Sequence, residues 1–186
     1  MPPIDDDIQV LIEGCKKNDR KAQGLLYSKF YVQMAALCAR YVSNQQDAAQ
    51  VLNDGFLKVF RKIHSYDAAK AGLSTWIGKI MINTAINFLR TNKIIYASDE
   101  SAIAEEAAIE TSIIQKLDAE ELRSLIRQLP KATQLVFNLY TVDAFNHREI
   151  AEMLGISEGT SKWHLSEARK QLRKSIESLQ KNEWEF

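Results

Sequence analysis

Apolar residues along this chain recur at three- and four-residue spacing, and β-branched alternation is scarce. That period belongs to helices rather than strands. Ile8, Leu11, Ile12 and Cys15 predict a first amphipathic helix. Asn18-Asp19 supplies an N-cap for a second, which carries Ala22, Leu25, Leu26, Phe30, Met34, Leu37 and Tyr41 inward. Ser43-Asn44 breaks it. A third helix is expected from about Gln46 to Ile63, with Ala48, Val51, Leu52, Phe56, Val59, Phe60 and Ile63 facing the core. His64 to Leu73 reads as a loop, and Ser74 as the cap of a fourth helix reaching about Asn92. Residues 93–116 are small, acidic and weakly patterned. A connection of that length is unusual inside a compact domain, so it is expected to be a flexible linker. A second helical set starts near Leu117. Pro130 begins one of its helices, since proline is tolerated at a helix start. That helix should run to Asp143, and two shorter segments follow, joined at Leu154-Gly155-Ile156. The expected fold is all-α, with domains over 1–92 and 117–186.

Composition narrows the class. The chain has 186 residues, 46% hydrophobic, with 7 Gly and 3 Pro, enough apolar content for packed cores. No apolar run approaches the roughly 20 residues of a membrane span, and the acidic start, Met1 to Asp7, lacks a signal-peptide pattern. A cytoplasmic protein without membrane insertion is expected. Cys15 and Cys38 have no partners at metal-ligand spacing, and two cysteines make no disulfide framework. No metal and no cofactor are expected, and both thiols read as core residues. His64, His147 and His164 are scattered, and no phosphate-cradling glycine loop occurs, so no enzyme chemistry is indicated.

Charge is balanced in total but segregated in place. From Gly55 to Ile95 seven cations face only Asp67. From Asp99 to Glu121 eight acids face Lys116 alone, and from Lys162 to Lys181 the chain turns basic again. Two basic modules suit a polyanion touched at two places, although ordinary solvated helix faces give the same pattern.

His147 to Ser157 has the form of a helix-turn-helix. Ile150 and Leu154 face inward, Ala151 permits a close crossing, Gly155 makes the turn, and Ser157 caps the next helix. Along that helix Ser161, Leu165, Ala168, Leu172, Ile176 and Leu179 share the packing side. Thr160, Trp163, Glu167, Lys170 and Lys174 lie opposite, a row suited to a major groove. Lys162, Lys170, Arg173, Lys174 and Arg148 are phosphate candidates. A plain helical hairpin with a tryptophan at a protein contact is the competing reading.

The fourth helix carries a second stripe. Ile77, Met81, Thr84, Ala85 and Phe88 fall on one side, and Trp76, Lys79, Asn83, Asn87 and Arg90 on the other. An aromatic among amides and cations suits a single strand, whose unstacked bases pile on the ring and pair with the amides. The preceding loop, with His64, Ser65, Tyr66, Asp67 and Lys70, is a candidate pocket for an extruded base. Trp76 taken alone also fits a partly buried packing residue.

Over about Asp19 to Ile176 the chain resembles the sigma-seventy family of bacterial RNA polymerase initiation factors, in particular its two-domain extracytoplasmic-function group. Asp47 to Phe60 matches the family's helix that docks on the polymerase clamp. Thr75-Trp76-Ile77 through Asn83, with Leu89-Arg90, matches its promoter-melting segment. Leu129-Pro130 and Ile150 to Arg169 match its helix-turn-helix domain. The resemblance implies a transcription initiation factor whose partners are core RNA polymerase, promoter DNA both as duplex and as melted strand, and an anti-sigma factor. Free, it would be a monomer. It implies polymerase contacts at Gln50, Asn53, Asp54, Phe56 and Lys58. It implies capture of the minus-ten strand by Tyr66, Lys70, Trp76, Lys79, Asn83, Asn87 and Arg90. Reading of the minus-thirty-five duplex would fall to Arg148, Thr160, Lys162, Trp163, His164, Glu167, Lys170 and Lys174. By extension, the acidic linker would thread a basic channel of the polymerase.

Six positions depart from the family pattern. Gln50 stands where an acid is frequent, Asn53 where glutamine is, Ser161 where the packing face is usually apolar, and Glu167 where a cation is common; Trp163 and His164 are also not the commonest residues at their positions. Glu167 repels phosphates, so it either accepts from a cytosine amino group or faces away from DNA. The rival reading is a stand-alone helix-turn-helix regulator that binds a palindrome as a dimer; it leaves the first domain and the Trp76 stripe unexplained.

Overall fold

The computed structural model describes residues 6–92 and 119–183, with side chains over 7–92 and 120–179. Among them every regular element is helical. They fall into two compact units, Met1–Asn92 and Lys93–Phe186. The expected linker, 93–116, lies outside the described residues.

The first unit holds α1 (Asp6–Lys16), α2 (Arg20–Tyr41), α3 (Gln45–Lys62), a short 3-10 turn (Ile63–Ser65) and α4 (Leu73–Thr91). Asp19 caps α2 by accepting from the Lys21 amide at 2.8 Å. Val42 ends α2 as its C-cap, and Asn44 caps α3 through the amides of Gln46 and Asp47. The three long helices pack on one another, and α1 closes the bundle against α2. Its interior is built from Leu26, Met34, Tyr41, Val51, Phe56, Ile77, Met81 and Leu89. Cys15 and Cys38 are free thiols in this core. Burial pushes both upward, Cys38 to about 12, which leaves it protonated and unreactive.

Several inward expectations differ. Leu25 is 60% exposed, and Phe88 is only half-buried while its neighbour Leu89 takes the core position. The fourth helix begins at Leu73 with Gly72 at its N-cap, and no side chain caps it. Ser74 donates instead to Gln33 Oε1 at 3.0 Å, tying the start of α4 to α2.

The second unit holds α5 (Ala119–Gln128), α6 (Lys131–Phe137), a π turn (Asn138–Val142), α7 (His147–Leu154) and α8 (Glu158–Glu183). The helix expected from Pro130 to Asp143 is therefore α-helical only to Phe137, and widens for its last turn. Asn146 and Glu149 form a reciprocal capping box at the start of α7, with bonds of 2.9 Å in both directions. Gly155 ends α7 at φ 72°, where a Cβ is unfavourable. Ser157 Oγ then accepts from the Thr160 amide at 2.9 Å and opens α8. The last segment is one helix of 26 residues, longer than expected. Ser161, Leu165, Ala168, Leu172 and Ile176 are buried along it, but Leu179 is 41% exposed.

Candidate nucleic-acid interface

On α4 the outward stripe forms. Lys79, Asn83, Asn87 and Arg90 are exposed and Trp76 is half-buried, because positions 76, 79, 83, 87 and 90 follow one helical face while Ile77, Met81 and Ala85 hold the other against the core. Asn83 folds its amide back to the Lys79 carbonyl at 2.8 Å. That contact uses one amide proton and leaves its carbonyl oxygen to accept from a base.

The loop before α4 is tied at several points. Asp67 accepts from the Ala69 amide at 3.0 Å, and the Lys70 amide donates to the Asp67 carbonyl at 3.1 Å. The ammonium of Lys70 sits 3.8 Å from Asp67, an exposed pair worth little in water and readily exchanged for a phosphate. Tyr66 is half-buried. Its hydroxyl donates to the Ala71 carbonyl at 3.2 Å, and its ring meets Trp76 at 5.4 Å. Burial, with the nearby Asp67 charge, holds its phenol protonated above the usual range. Loop and stripe thus meet at an aromatic pair.

The implied docking face of α3 divides. Gln50, Asn53 and Asp54 are exposed, and Asn53 accepts from the Tyr27 hydroxyl at 3.3 Å. Phe56 does not belong with them. It is a core residue, 2% exposed, packed on Tyr27 at 4.5 Å, so it shapes that face from behind. Lys58 is half-buried and turns its ammonium to Thr84 on α4 at 3.1 Å. Two further exposed residues lie on or near this face without having been expected there: Leu57, 53% exposed, and Tyr31, 45% exposed with its ring tilted at 42° to that of Tyr27 at 5.5 Å. An exposed leucine between two inward positions on a wheel was the available signal.

On α8, Lys162, Lys170 and Lys174 are exposed and Thr160, Trp163 and Glu167 are half-buried. The three lysines, with half-buried Arg173, have no carboxylate within 4.0 Å among the described residues, so their charge is free for phosphate. Arg148, at the start of α7, is exposed and loosely paired with Glu152 at 3.4 Å. Glu167 accepts from Gln171 Nε2 at 2.7 Å, one turn further along α8.

His164 does not share this surface. It is 3% exposed, and its Nδ1 lies 3.0 Å from the Thr133 hydroxyl on α6. Burial lowers its pKa. Its position on the wheel borders the packing side, and Thr133 provides the polar partner that makes an interior imidazole tolerable. Trp163 rests its ring edge-on against it at 4.9 Å. A second imidazole, His147, is stacked on Tyr140 at 4.6 Å and lies 2.9 Å from Ser161 Oγ. Ser161, polar where the family pattern is apolar, is thereby satisfied inside the unit.

Residues 26–94 match the family model for sigma-70 region 2, and residues 119–172 match that for sigma-70 region 4. The chain belongs to the sigma-70 family. An extracytoplasmic-function RNA polymerase sigma-E factor of Haemophilus influenzae is 29% identical over 92% of this chain and 96% of its own length. The sigma-E factor of Escherichia coli K12 is 28% identical over 92% and 95%. In fold, the chain is similar to the sigma factor RpoE of Bartonella quintana, solved in complex with the anti-sigma factor NepR. That match has a TM-score of 0.50 and 18% identity, covering 82% of this chain and 96% of the other. Region 2 and region 4 in one chain make this a promoter-directing sigma factor of RNA polymerase and not a stand-alone regulator. Among the described residues, no helix of this sigma factor is long and apolar enough to cross a membrane, and no three His, Cys, Asp or Glu side chains are placed to hold a metal ion.

Proposed function

We propose that this sigma factor grips one promoter in two forms. The first unit takes the non-template strand of the minus-ten element after the duplex opens. Tyr66 and Trp76 provide stacking surface, Asn83 and Asn87 provide hydrogen bonds to base edges, and Lys70, Lys79 and Arg90 hold the backbone. The second unit reads the minus-thirty-five element as duplex, with Thr160 and Trp163 at the bases and Arg148, Lys162, Lys170 and Lys174 at phosphates. Core polymerase docks on the exposed side of α3, through Gln50, Asn53, Asp54 and Leu57.

The observation that carries this reading is the chemical difference between the two exposed stripes. The one on α4 is aromatic and amide-rich. Base stacking on an aromatic ring is worth about 1–3 kcal/mol per base, comparable with the cost of unstacking it, and this is available only once a strand is open. The stripe on α8 is dominated by lysines, which suits the regular phosphate spacing of duplex DNA. Neither surface substitutes for the other.

The protein is expected to work in the cytoplasm, to be monomeric when free, and to be held by an anti-sigma protein. Co-purification from cells tests that last partner: recovery with a small dedicated protein supports it, and recovery only free or with polymerase contradicts it. The activity itself is tested by adding the purified chain to core polymerase and mapping transcript starts genome-wide. Starts at a shared pair of promoter elements are expected, and no starts above core enzyme alone would refute the reading.

A further inference from the structure

Lys58 lies on α3 next to the exposed Leu57, yet its ammonium turns inward. It donates to Thr84 Oγ1 at 3.1 Å, and Thr84 donates its own hydroxyl proton to the Ile80 carbonyl at 2.8 Å. Lysine carries only donors, so the direction of this chain is set: Lys58 to Thr84 to the α4 backbone. Thr84 is 4% exposed, so the hydroxyl that receives the ammonium belongs to the interior.

Three residues earlier on each helix, Gly55 faces Met81. A Cβ at Gly55 would run into the Met81 sulfur, so α3 and α4 approach closely there. The two helices are joined by two successive contacts of different kind. Gly55 against Met81 is apolar and adjustable, because methionine adapts its rotamers readily. Lys58 to Thr84 is a directed bond that weakens steeply with misalignment. A half-buried ammonium also costs desolvation that an aliphatic side chain of the same length avoids.

The neighbours of this bond give it a role. Leu57 precedes Lys58 on the exposed side of α3, and Asn83 precedes Thr84 in the stripe of α4. We infer that Lys58, acting through Thr84, is a positioning residue that fixes the strand-capturing stripe of α4 relative to the docking side of α3. Engagement of polymerase at α3 is thereby converted into a defined placement of Asn83 and Asn87 for the opened strand. This inference rests on the proposed roles of those two faces.

The test uses the full chain with core polymerase. Lys58→Met keeps the stem and removes the donor; Thr84→Val keeps the shape and removes the hydroxyl; Thr84→Ser retains it. Two quantities are measured, affinity for core and affinity of the holoenzyme for forked DNA carrying an unpaired minus-ten strand. Core affinity is expected within about twofold of wild type, and fork affinity about five- to tenfold lower for Lys58→Met and Thr84→Val. The double variant should be no weaker than either single one, and Thr84→Ser should stay near wild type. Unchanged fork affinity, additive losses, equal losses in core and fork affinity, or a drop in melting temperature alone would each overturn the positioning role. A wild-type chain that fails to bind core or fork overturns the underlying roles, and the inference with them, before any variant is compared.

Discussion

Tyr66 and Trp76 place their rings 5.4 Å apart at 58°, one from the loop and one from the first turn of α4. They lie ten positions apart in the sequence, and Tyr66 ties the loop by donating to the Ala71 carbonyl. Trp76→Ala removes stacking surface and should weaken holoenzyme binding to forked minus-ten DNA by about 1–3 kcal/mol. Tyr66→Phe keeps the ring but frees the carbonyl, so its loss should be smaller, near 1 kcal/mol. Competition binding with a forked probe measures both, and an equal loss for the two would remove the stacking argument.

Lys170 is exposed on α8, in the row proposed to face the duplex. Lys170→Ala should weaken minus-thirty-five binding about equally across base sequences. It should also lower the slope of log affinity against log salt by about one counterion. A salt titration of holoenzyme binding to a duplex probe checks both. A change in base preference with an unaltered slope would assign Lys170 to base reading instead.

The second unit should lose stability below neutral pH. His164 is buried, its Nε2 has no hydrogen-bond partner among the described residues, and burial holds its pKa below the ordinary value near 6.5. His147 is lowered by burial first, and then by Lys162 and Arg169, with Glu158 opposing. Between the depressed folded values and about 6.5, the unfolded chain binds protons that the folded unit refuses, so stability rises with pH. The contribution is complete above about 6.5 and is lost as pH falls, by at most about 1.4 kcal/mol per pH unit for each histidine. Urea unfolding from pH 7.5 to 5 should show that slope, and His164→Gln should reduce it.

Backbone conformation gives an opposite pair of effects. Gly155 and Ala144 both have positive φ, 72° and 58°. Gly155→Ala should cost about 1–2 kcal/mol. Ala144→Gly should relieve a similar strain, offset in part because glycine gains more freedom in the unfolded chain. Thermal unfolding of both variants checks the opposite signs.

Much of the fold was legible because the helix faces are cleanly divided. Ile77 and Met81 against Lys79 and Asn83, and Leu165 and Leu172 against Lys170 and Lys174, sort themselves on a wheel. Caps at Asp19 and Ser157 were equally plain, since short polar side chains there satisfy open amides. The start of α4 was misplaced because Ser74 found a partner on α2, a tertiary contact invisible to local chemistry. The widening after Phe137 had no signal in composition. His164 and Phe56 entered the site through family correspondence, and both turned out to be interior. An imidazole beside the packing side is drawn in by Thr133, thirty-one residues away, and Phe56 is drawn in by Tyr27 on another helix. Lys58 shows the same limit in reverse, because only the placement of Thr84 shows where its charge goes.

In the proposed function the α4 stripe acts on opened DNA while the second unit holds the duplex. The direct measurement is fluorescence from 2-aminopurine placed in the non-template minus-ten strand, followed after mixing promoter with core polymerase and this sigma factor. Wild type should give a rise as the base unstacks; Trp76→Ala should bind the closed promoter nearly as well and give a much smaller or slower rise. An undiminished rise with Trp76→Ala, or an equal failure of closed-promoter binding, would contradict the account.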